Sequence, residues 1–255
     1  MATLPNPLPR LTSLGLELPA GRLVDETTEG PWHEPLLWLA EEQATPGAWA
    51  RLLGAAPRVG LLPVLLDVGG GQGGPEGWEL MPGESSYPGD HDADEVLAEL
   101  WDEDPPEDEH WPGLAPSPVP AADPDERAAE VADSLTEGRP WFKEPHLALV
   151  PARRSADIPA AVGWSGPVNY EEDVARLCAV LRSWEDRFGT RVVALGFDHL
   201  AVSVAAPPAD LAEAEAVAAE HYAFCPYTVL VDTGDTLTSY AQKLLGERVW
   251  HFWWD

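Results

Sequence analysis

The clearest helical pattern lies between residues 170 and 188. Apolar side chains recur there every three or four positions, at Val174, Leu177, Cys178, Leu181, Trp184 and Phe188. This spacing places them on one face of an α-helix. Gly189 follows, and glycine is the residue that most often ends a helix. The pattern predicts an amphipathic helix whose apolar face packs on a sheet.

The segments around this helix predict four strands and a second helix. The strands are short apolar or β-branched runs at residues 146–151, 191–196, 200–205 and 227–231. Pro207 and Pro208 lead into an alanine-rich run that predicts a helix from Leu211 to Tyr222, which Pro226 ends. The resulting order is βαββαβ, that of a ferredoxin-like unit with two helices on one face of an antiparallel sheet. The fold class expected is therefore α+β.

A last helix, Leu237 to Leu245, and an aromatic tail, Trp250 to Trp254, are expected outside that unit. The chain has 12 tryptophans, so stacking on a sugar is one interpretation of the tail. However, Trp250, Phe252 and Trp254 alternate, as residues on one face of a strand do. This alternation favours packing against the core or a domain interface.

Apolar runs in the N-terminal part are shorter and predict strands at residues 14–18, 36–39 and 59–68. The glycine-rich run 69–77 then leads to residues 78–81. A phosphate-binding loop would continue with Gly-Lys-Ser/Thr and a helix, and neither is present. The run is therefore predicted to be a flexible hairpin connection, which makes the N-terminal part strand-rich.

Asp90, Asp92 and Asp94 alternate as in a calcium loop, but the sixth position is Glu95 and the twelfth is Trp101. A calcium loop needs glycine and glutamate there. The favoured interpretation is that Asp92 or Asp94 caps a short helix from Glu95 to Trp101.

Acidic charge divides the chain into regions. It has 44 Asp and Glu against 15 Lys and Arg, a net charge of -29. Residues 1–140 hold 28 acidic against 6 basic residues, or -22, and the remainder holds 16 against 9, or -7. Residues 103–125 combine acid runs with prolines, which predicts an extended linker. Three parts follow: a strand-rich acidic region 1–102, a linker 103–125, and an α+β domain 126–255 that folds on its own.

The charge also limits the partners. A strongly anionic surface repels nucleic acids and anionic lipids, so direct binding to either is not expected. A basic protein is the expected partner. No run of eighteen apolar residues predicts a membrane span, and the two cysteines suit a reducing compartment, so a cytoplasmic location is expected.

Reactive side chains concentrate at Asp198, His199, His221 and Cys225. His221 and Cys225 are one helical turn apart, so the imidazole could lower the pKa of the thiol, or both could bind a soft metal. A nucleophilic site would also need an oriented base and an oxyanion site, and a metal site would need two more ligands. The favoured alternative is structural, with Cys225 buried and His221 on the helix surface. Accordingly, no catalytic residue, metal or cofactor is predicted.

Several motifs resemble the bacterial domain-of-unknown-function 4253 family over about residues 146–255. They are Trp184 and Phe188 with Gly189, Gly196-Phe197-Asp198, Pro207-Pro208, His221 with Phe224-Cys225-Pro226, and the terminal Phe252-Trp253-Trp254-Asp255. The resemblance implies a shared fold unit and carries no catalytic role.

Three functions remain open. The favoured one is a non-enzymatic protein-interaction module, of the immunity or antitoxin kind, that binds a basic protein. The first alternative is a hydrolase or metal-dependent enzyme that uses Asp198, His221 and Cys225. The second is an acidic mimic of nucleic acid. The pattern leaves the oligomeric state open.

Overall fold

One mixed seven-stranded sheet organises the computed structural model, which describes residues 5–103, 105–106, 110–119, 122–233 and 236–255. In chain order, its strands are β1 (Gly21–Val24), β4 (Leu37–Gln43), β5 (Leu61–Asp67), β6 (Pro145–Pro151), β7 (Arg191–Leu195), β8 (His199–Ser203) and β9 (Val249–Trp253). The spatial order is β1-β4-β6-β5-β7-β8-β9. A separate small pair is formed by β2 (Glu26–Thr27) and β3 (Gly30–Pro31).

Only the central pair of the sheet, β5 and β7, is parallel, with Leu65 opposite Ala194. The other neighbouring strands run antiparallel. Every residue of β7 from Val192 to Leu195 is buried, so both faces of the sheet centre are covered.

Eight α-helices are described. They are α1 (Ala48–Leu53), α2 (Ala93–Glu103), α3 (Pro124–Thr136), α4 (Ile158–Val162), α5 (Val174–Phe188), α6 (Leu211–Phe224), α7 (Pro226–Thr233) and α8 (Leu237–Leu244). α5 and α6 contact α2, and α6 also contacts α8, whereas α3 packs on β7 and β8. None of these helices combines the length and apolar character that a membrane crossing requires.

Local signals for two helices are confirmed. Gly189, with φ 61°, ends α5 as predicted, and Asp173, which precedes the helix, accepts a hydrogen bond from the Ala175 N–H. The predicted apolar face of α5 is buried. Asp92 accepts hydrogen bonds from the N–H groups of Asp94 and Glu95 at the start of α2, as the helix-cap interpretation requires.

The α+β character is confirmed, but the ferredoxin-like unit is not. The strand predicted at residues 227–231 was wrong, because this segment is the helix α7. Pro226 not only ends α6 but is also the first residue of α7, a position that suits the fixed φ of proline. The aromatic tail instead belongs to the sheet, as its edge strand β9 next to β8. Trp250, Phe252 and Trp254 are buried, as the alternation predicts.

Two N-terminal predictions were also wrong. Residues 14–18 are not a strand. They follow a 3-10 helix, Leu8–Ser13, and Pro9 suits the first turn of that helix. Residues 69–77 do not close a hairpin, because residues 78–81 form no strand and instead pack irregularly, with the Met81 N–H bonded to the Gly163 carbonyl.

The predicted regions 1–102 and 126–255 share one sheet and one hydrophobic core. β5 from the first region lies between β6 and β7 of the second. The predicted linker 103–125 falls partly outside the described residues, at 104, 107–109 and 120–121. Within it, Ala115 is buried, and Trp111 contacts the ring of Trp101 on α2.

Candidate functional site

His221 lies in the aromatic core, contrary to its predicted place on a helix surface. Its side chain is fully buried, and its ring lies 4.5 to 5.1 Å from those of Trp184, Trp250 and Phe252. Nδ1 is 2.9 Å from the Tyr240 hydroxyl, whereas Nε2 is buried without a hydrogen-bond partner among the described residues. Burial lowers the pKa of His221 to about 3, so the imidazole is neutral at physiological pH.

Cys225 lies beside the last residue of β9, at the edge of the sheet. Its thiol donates to the Trp253 carbonyl at 2.9 Å and lies 3.3 Å from the Thr228 hydroxyl. Thr228 Oγ1 in turn accepts from the Trp253 N–H. The start of α7 thus satisfies backbone groups at the free edge of β9. Burial raises the pKa of Cys225 to about 11, which keeps the thiol protonated and unreactive at neutral pH.

Asp198 and His199 lie at the turn between β7 and β8, where they meet a histidine that the motif analysis did not select. His199 Nδ1 is 2.9 Å from His251 Nε2, and His199 Nε2 is 3.3 Å from Asp198 Oδ1. Trp141 stacks on His251 at 3.9 Å. Burial, and secondarily the charge of His199, lower the pKa of His251 to about 3.

The arrangement of Asp198, His199 and His251 provides hydrogen-bond acceptors for one protonated imidazole. A protonated His199 would donate through Nδ1 to His251 and through Nε2 toward the Asp198 carboxylate. The sequence signal for His251 was the alternation of β9, which places residue 251 on the face opposite Trp250 and Phe252.

The four predicted side chains therefore divide between two environments. Asp198 and His199 are partly exposed at a turn, whereas His221 and Cys225 are buried among α6, α7, α8 and β9. In the described part of the chain, no group of three or more His, Cys, Asp or Glu side chains has the arrangement of a metal site.

A buried ion pair was missed by sequence reasoning. Glu220 on α6 is fully buried and accepts two hydrogen bonds from the Arg187 guanidinium, at 2.6 and 2.7 Å. Its carboxylate also accepts from Trp184 Nε1 and from the Ala115 N–H. Arg187 donates to the Ala115 carbonyl as well. The pair therefore connects the segment around Ala115 to α5 and α6. No local sequence pattern revealed it, because Arg187 and Glu220 are 33 residues apart.

Ser86, His91 and Asp173 have the residue types of a Ser-His-Asp triad. Ser86 Oγ is 2.6 Å from His91 Nε2, but Asp173 Oδ2 is 3.7 Å from that same nitrogen. In a catalytic triad, the acid binds the other ring nitrogen. Asp173 Oδ1 instead accepts from the N–H groups of Ser86 and Ala175. The cluster therefore connects the segment before α2 to the start of α5 by hydrogen bonds.

The exposed side of α2 carries concentrated charge. The helix buries Val96, Leu97, Leu100 and Trp101. Its exposed carboxylates, called here the acidic face of α2, are Asp94, Glu95, Glu99, Asp102 and Glu103. Of these five, Glu99 forms an ion pair with Arg176, and Asp94 accepts from the Trp111 indole.

Comparison of the chain with curated proteins and with solved structures gave no match. Residues 146–255 match a family model described as "Domain of unknown function (DUF4253)". This range runs from β6 to β9 and omits β5, which lies between β6 and β7. The resemblance expected from the sequence is confirmed for the C-terminal part of the chain, whose residues 146–255 match the DUF4253 model.

Proposed function

We propose that this protein is a non-enzymatic interaction module that binds a basic protein through the acidic face of α2. The observation that carries the proposal is the one-sided charge of this helix, whose opposite side is fixed in the core. A rigid helix holds its carboxylates at constant spacing, which suits docking to a positively charged surface.

The use of the basic residues supports the proposal. Within the described ranges, seven arginines form ion pairs with the chain's own carboxylates: Arg22, Arg127, Arg154, Arg176, Arg182, Arg187 and Arg191. The chain's 15 Lys and Arg cannot neutralise its 44 Asp and Glu, which leaves a net charge of -29. Its field therefore attracts basic partners and repels acidic ones.

The enzymatic alternative with Asp198, His221 and Cys225 has less support. The hydrogen bonds of the Cys225 thiol go to Trp253 and Thr228, and His221 faces Tyr240 and aromatic rings. Asp198 interacts with His199 at a separate turn. Nucleophilic catalysis would need the thiol, base and acid in one connected set.

The test replaces three acids of the face, with the changes Glu95→Gln, Asp102→Asn and Glu103→Gln. Wild type and this triple variant are used as bait in a lysate at low and high salt, and the retained proteins are quantified by mass spectrometry. We expect a basic protein that wild type retains at low salt and that both high salt and the triple variant release, because exposed charges are screened beyond about 8 Å at physiological ionic strength.

The matched control changes exposed acids elsewhere, Glu26→Gln, Glu29→Gln and Glu34→Gln. It has the same net charge as the triple variant and should retain the partner as wild type does. Equal loss in both variants would mean that only net charge matters. Retention in both would contradict a role for α2.

A further inference from the structure

A cavity of about 200 Å³ opens where three central strands begin or end. β6 is antiparallel to β5, and β5 is parallel to β7, so the end of β6 meets the beginnings of the other two. Arg153 and Arg154 follow β6, Arg191 begins β7, and Leu62 and Pro63 belong to β5. All five residues line the cavity.

Three guanidinium groups line this cavity, although the protein as a whole is acidic. Arg154 forms ion pairs with Glu185 at 3.1 Å and with Asp186 at 2.5 Å, and Arg191 pairs with Asp125 at 2.8 Å. Arg153 is exposed, and no carboxylate of the described residues pairs with it. The lining thus contains three guanidinium groups and two carboxylates, and Arg153 is the group left without a counter-ion.

The rest of the lining is largely apolar. α1 contributes Trp49 and Leu53, and Pro57 lies beside them. Trp49 is 3% exposed, and its indole Nε1 is buried without a hydrogen-bond acceptor among the described residues. A buried donor without an acceptor is unfavourable and is uncommon in folded proteins.

By contrast, a second cavity of about 350 Å³ is lined by Glu17, Glu42 and Arg51 among other residues. There the carboxylates outnumber the guanidinium group. The lining of the first cavity is therefore richer in guanidinium groups than that of the second.

We propose that the cavity lined by Arg153 and Trp49 binds a small organic anion, with its phosphate or carboxylate group on Arg153 and its apolar body against Trp49, Leu53 and Pro57. The volume is below the range of about 300 to 1,000 Å³ typical of drug-sized ligands, so the ligand is small. Arg154 and Arg191 are already fixed by their carboxylates and shape the site, which leaves Arg153 to supply the charge-assisted hydrogen bond.

The net charge of the protein does not prevent this binding. Exposed charges farther than about 8 Å away are strongly screened at physiological ionic strength, whereas Arg153 is in direct contact range of a bound ligand. The repulsion of nucleic acids and anionic lipids expected from the acidic surface thus does not extend to a small anion in this cavity.

The test uses phenyl phosphate, inorganic phosphate and phenol as probes, measured by calorimetry on the full chain. Phenyl phosphate should bind saturably and more tightly than inorganic phosphate, because only it reaches the apolar wall, and phenol should not bind measurably. Arg153→Gln should weaken phenyl phosphate binding by about tenfold or more, as expected for loss of a hydrogen bond to a charged group.

Arg10→Gln is the matched control, since Arg10 is exposed and outside the cavity. It removes the same charge and should leave binding unchanged. In NMR spectra, the indole N–H signal that disappears in Trp49→Phe should shift when phenyl phosphate is added to wild type. Absence of saturable binding, or equal affinity in wild type and Arg153→Gln, would overturn the proposal.

Discussion

His221 illustrates how burial decides the chemistry of a single residue. Its pKa is about 3 in the folded protein, against 6.5 as the ordinary value. Between these pH values, the unfolded chain binds a proton at this position that the native protein does not bind. The free energy of unfolding therefore falls as the pH drops from about 6.5 toward 3.

We predict that His221→Phe reduces this acid sensitivity. The phenyl ring can replace the imidazole among Trp184, Trp250 and Phe252, and the unpartnered Nε2 is removed. Between neutral pH and about pH 4, the variant should lose about 2 to 3 kcal/mol less stability than wild type in chemical denaturation. His33→Phe, at an exposed position, should behave as wild type. Parallel pH profiles for wild type and His221→Phe would contradict the prediction.

At the scale of elements, the Arg187–Glu220 pair joins α5, α6 and residues 110–119. Replacing one partner leaves a buried charge without its counter-ion, which costs about 3 to 5 kcal/mol. We therefore expect Glu220→Gln and Arg187→Gln each to lower the free energy of unfolding by about that amount. The double variant should lose less than the sum of the two, and denaturation of all three variants measures the coupling.

Glu76→Gln is the control for this cycle, because Glu76 pairs with Arg22 at the surface and its loss should cost less than about 1 kcal/mol. Hydrogen exchange at the Ala115 amide should also accelerate in Glu220→Gln, since Glu220 accepts from that N–H. Strict additivity in the cycle would show that the two side chains act independently.

At the scale of the whole molecule, the strand order opposes independent folding of residues 126–255. β6 pairs with β4 and β5, and β7 also pairs with β5, so both strands lose neighbours when residues 1–102 are removed. The sequence alone predicted that residues 126–255 fold on their own. The shared sheet leads to the opposite expectation.

We predict that residues 126–255 expressed alone lack cooperative unfolding and dispersed NMR signals. Co-expression with residues 1–125 should restore both properties, because it returns β4 and β5 to the sheet. A fragment 126–255 that unfolds cooperatively by itself would contradict the prediction and support the three-part division.

What the sequence determined about this protein was mainly local. Periodicity predicted α5, Gly189 marked its end, and alternation predicted that Trp250, Phe252 and Trp254 are buried. These signals depend on neighbours a few residues apart, so they are visible in one stretch of chain. The family motifs are also short stretches of sequence, and the match of residues 146–255 to the family model confirmed the resemblance.

Only the tertiary structure decided the strand order, the depth of His221 and the meeting of His199 with His251. Each depends on which distant segments pack together. The hydrophobic effect is non-directional, so an apolar pattern predicts that a residue is buried but not which segment it packs against. The C-terminal half of α6 shows this most clearly: the helix contacts α2, α7 and α8, and every residue from Val217 to Phe224 is buried. Since this half of the helix is covered on all sides, no polar face distinguishes one side of it from another, and its sequence could not indicate that His221 points into the core.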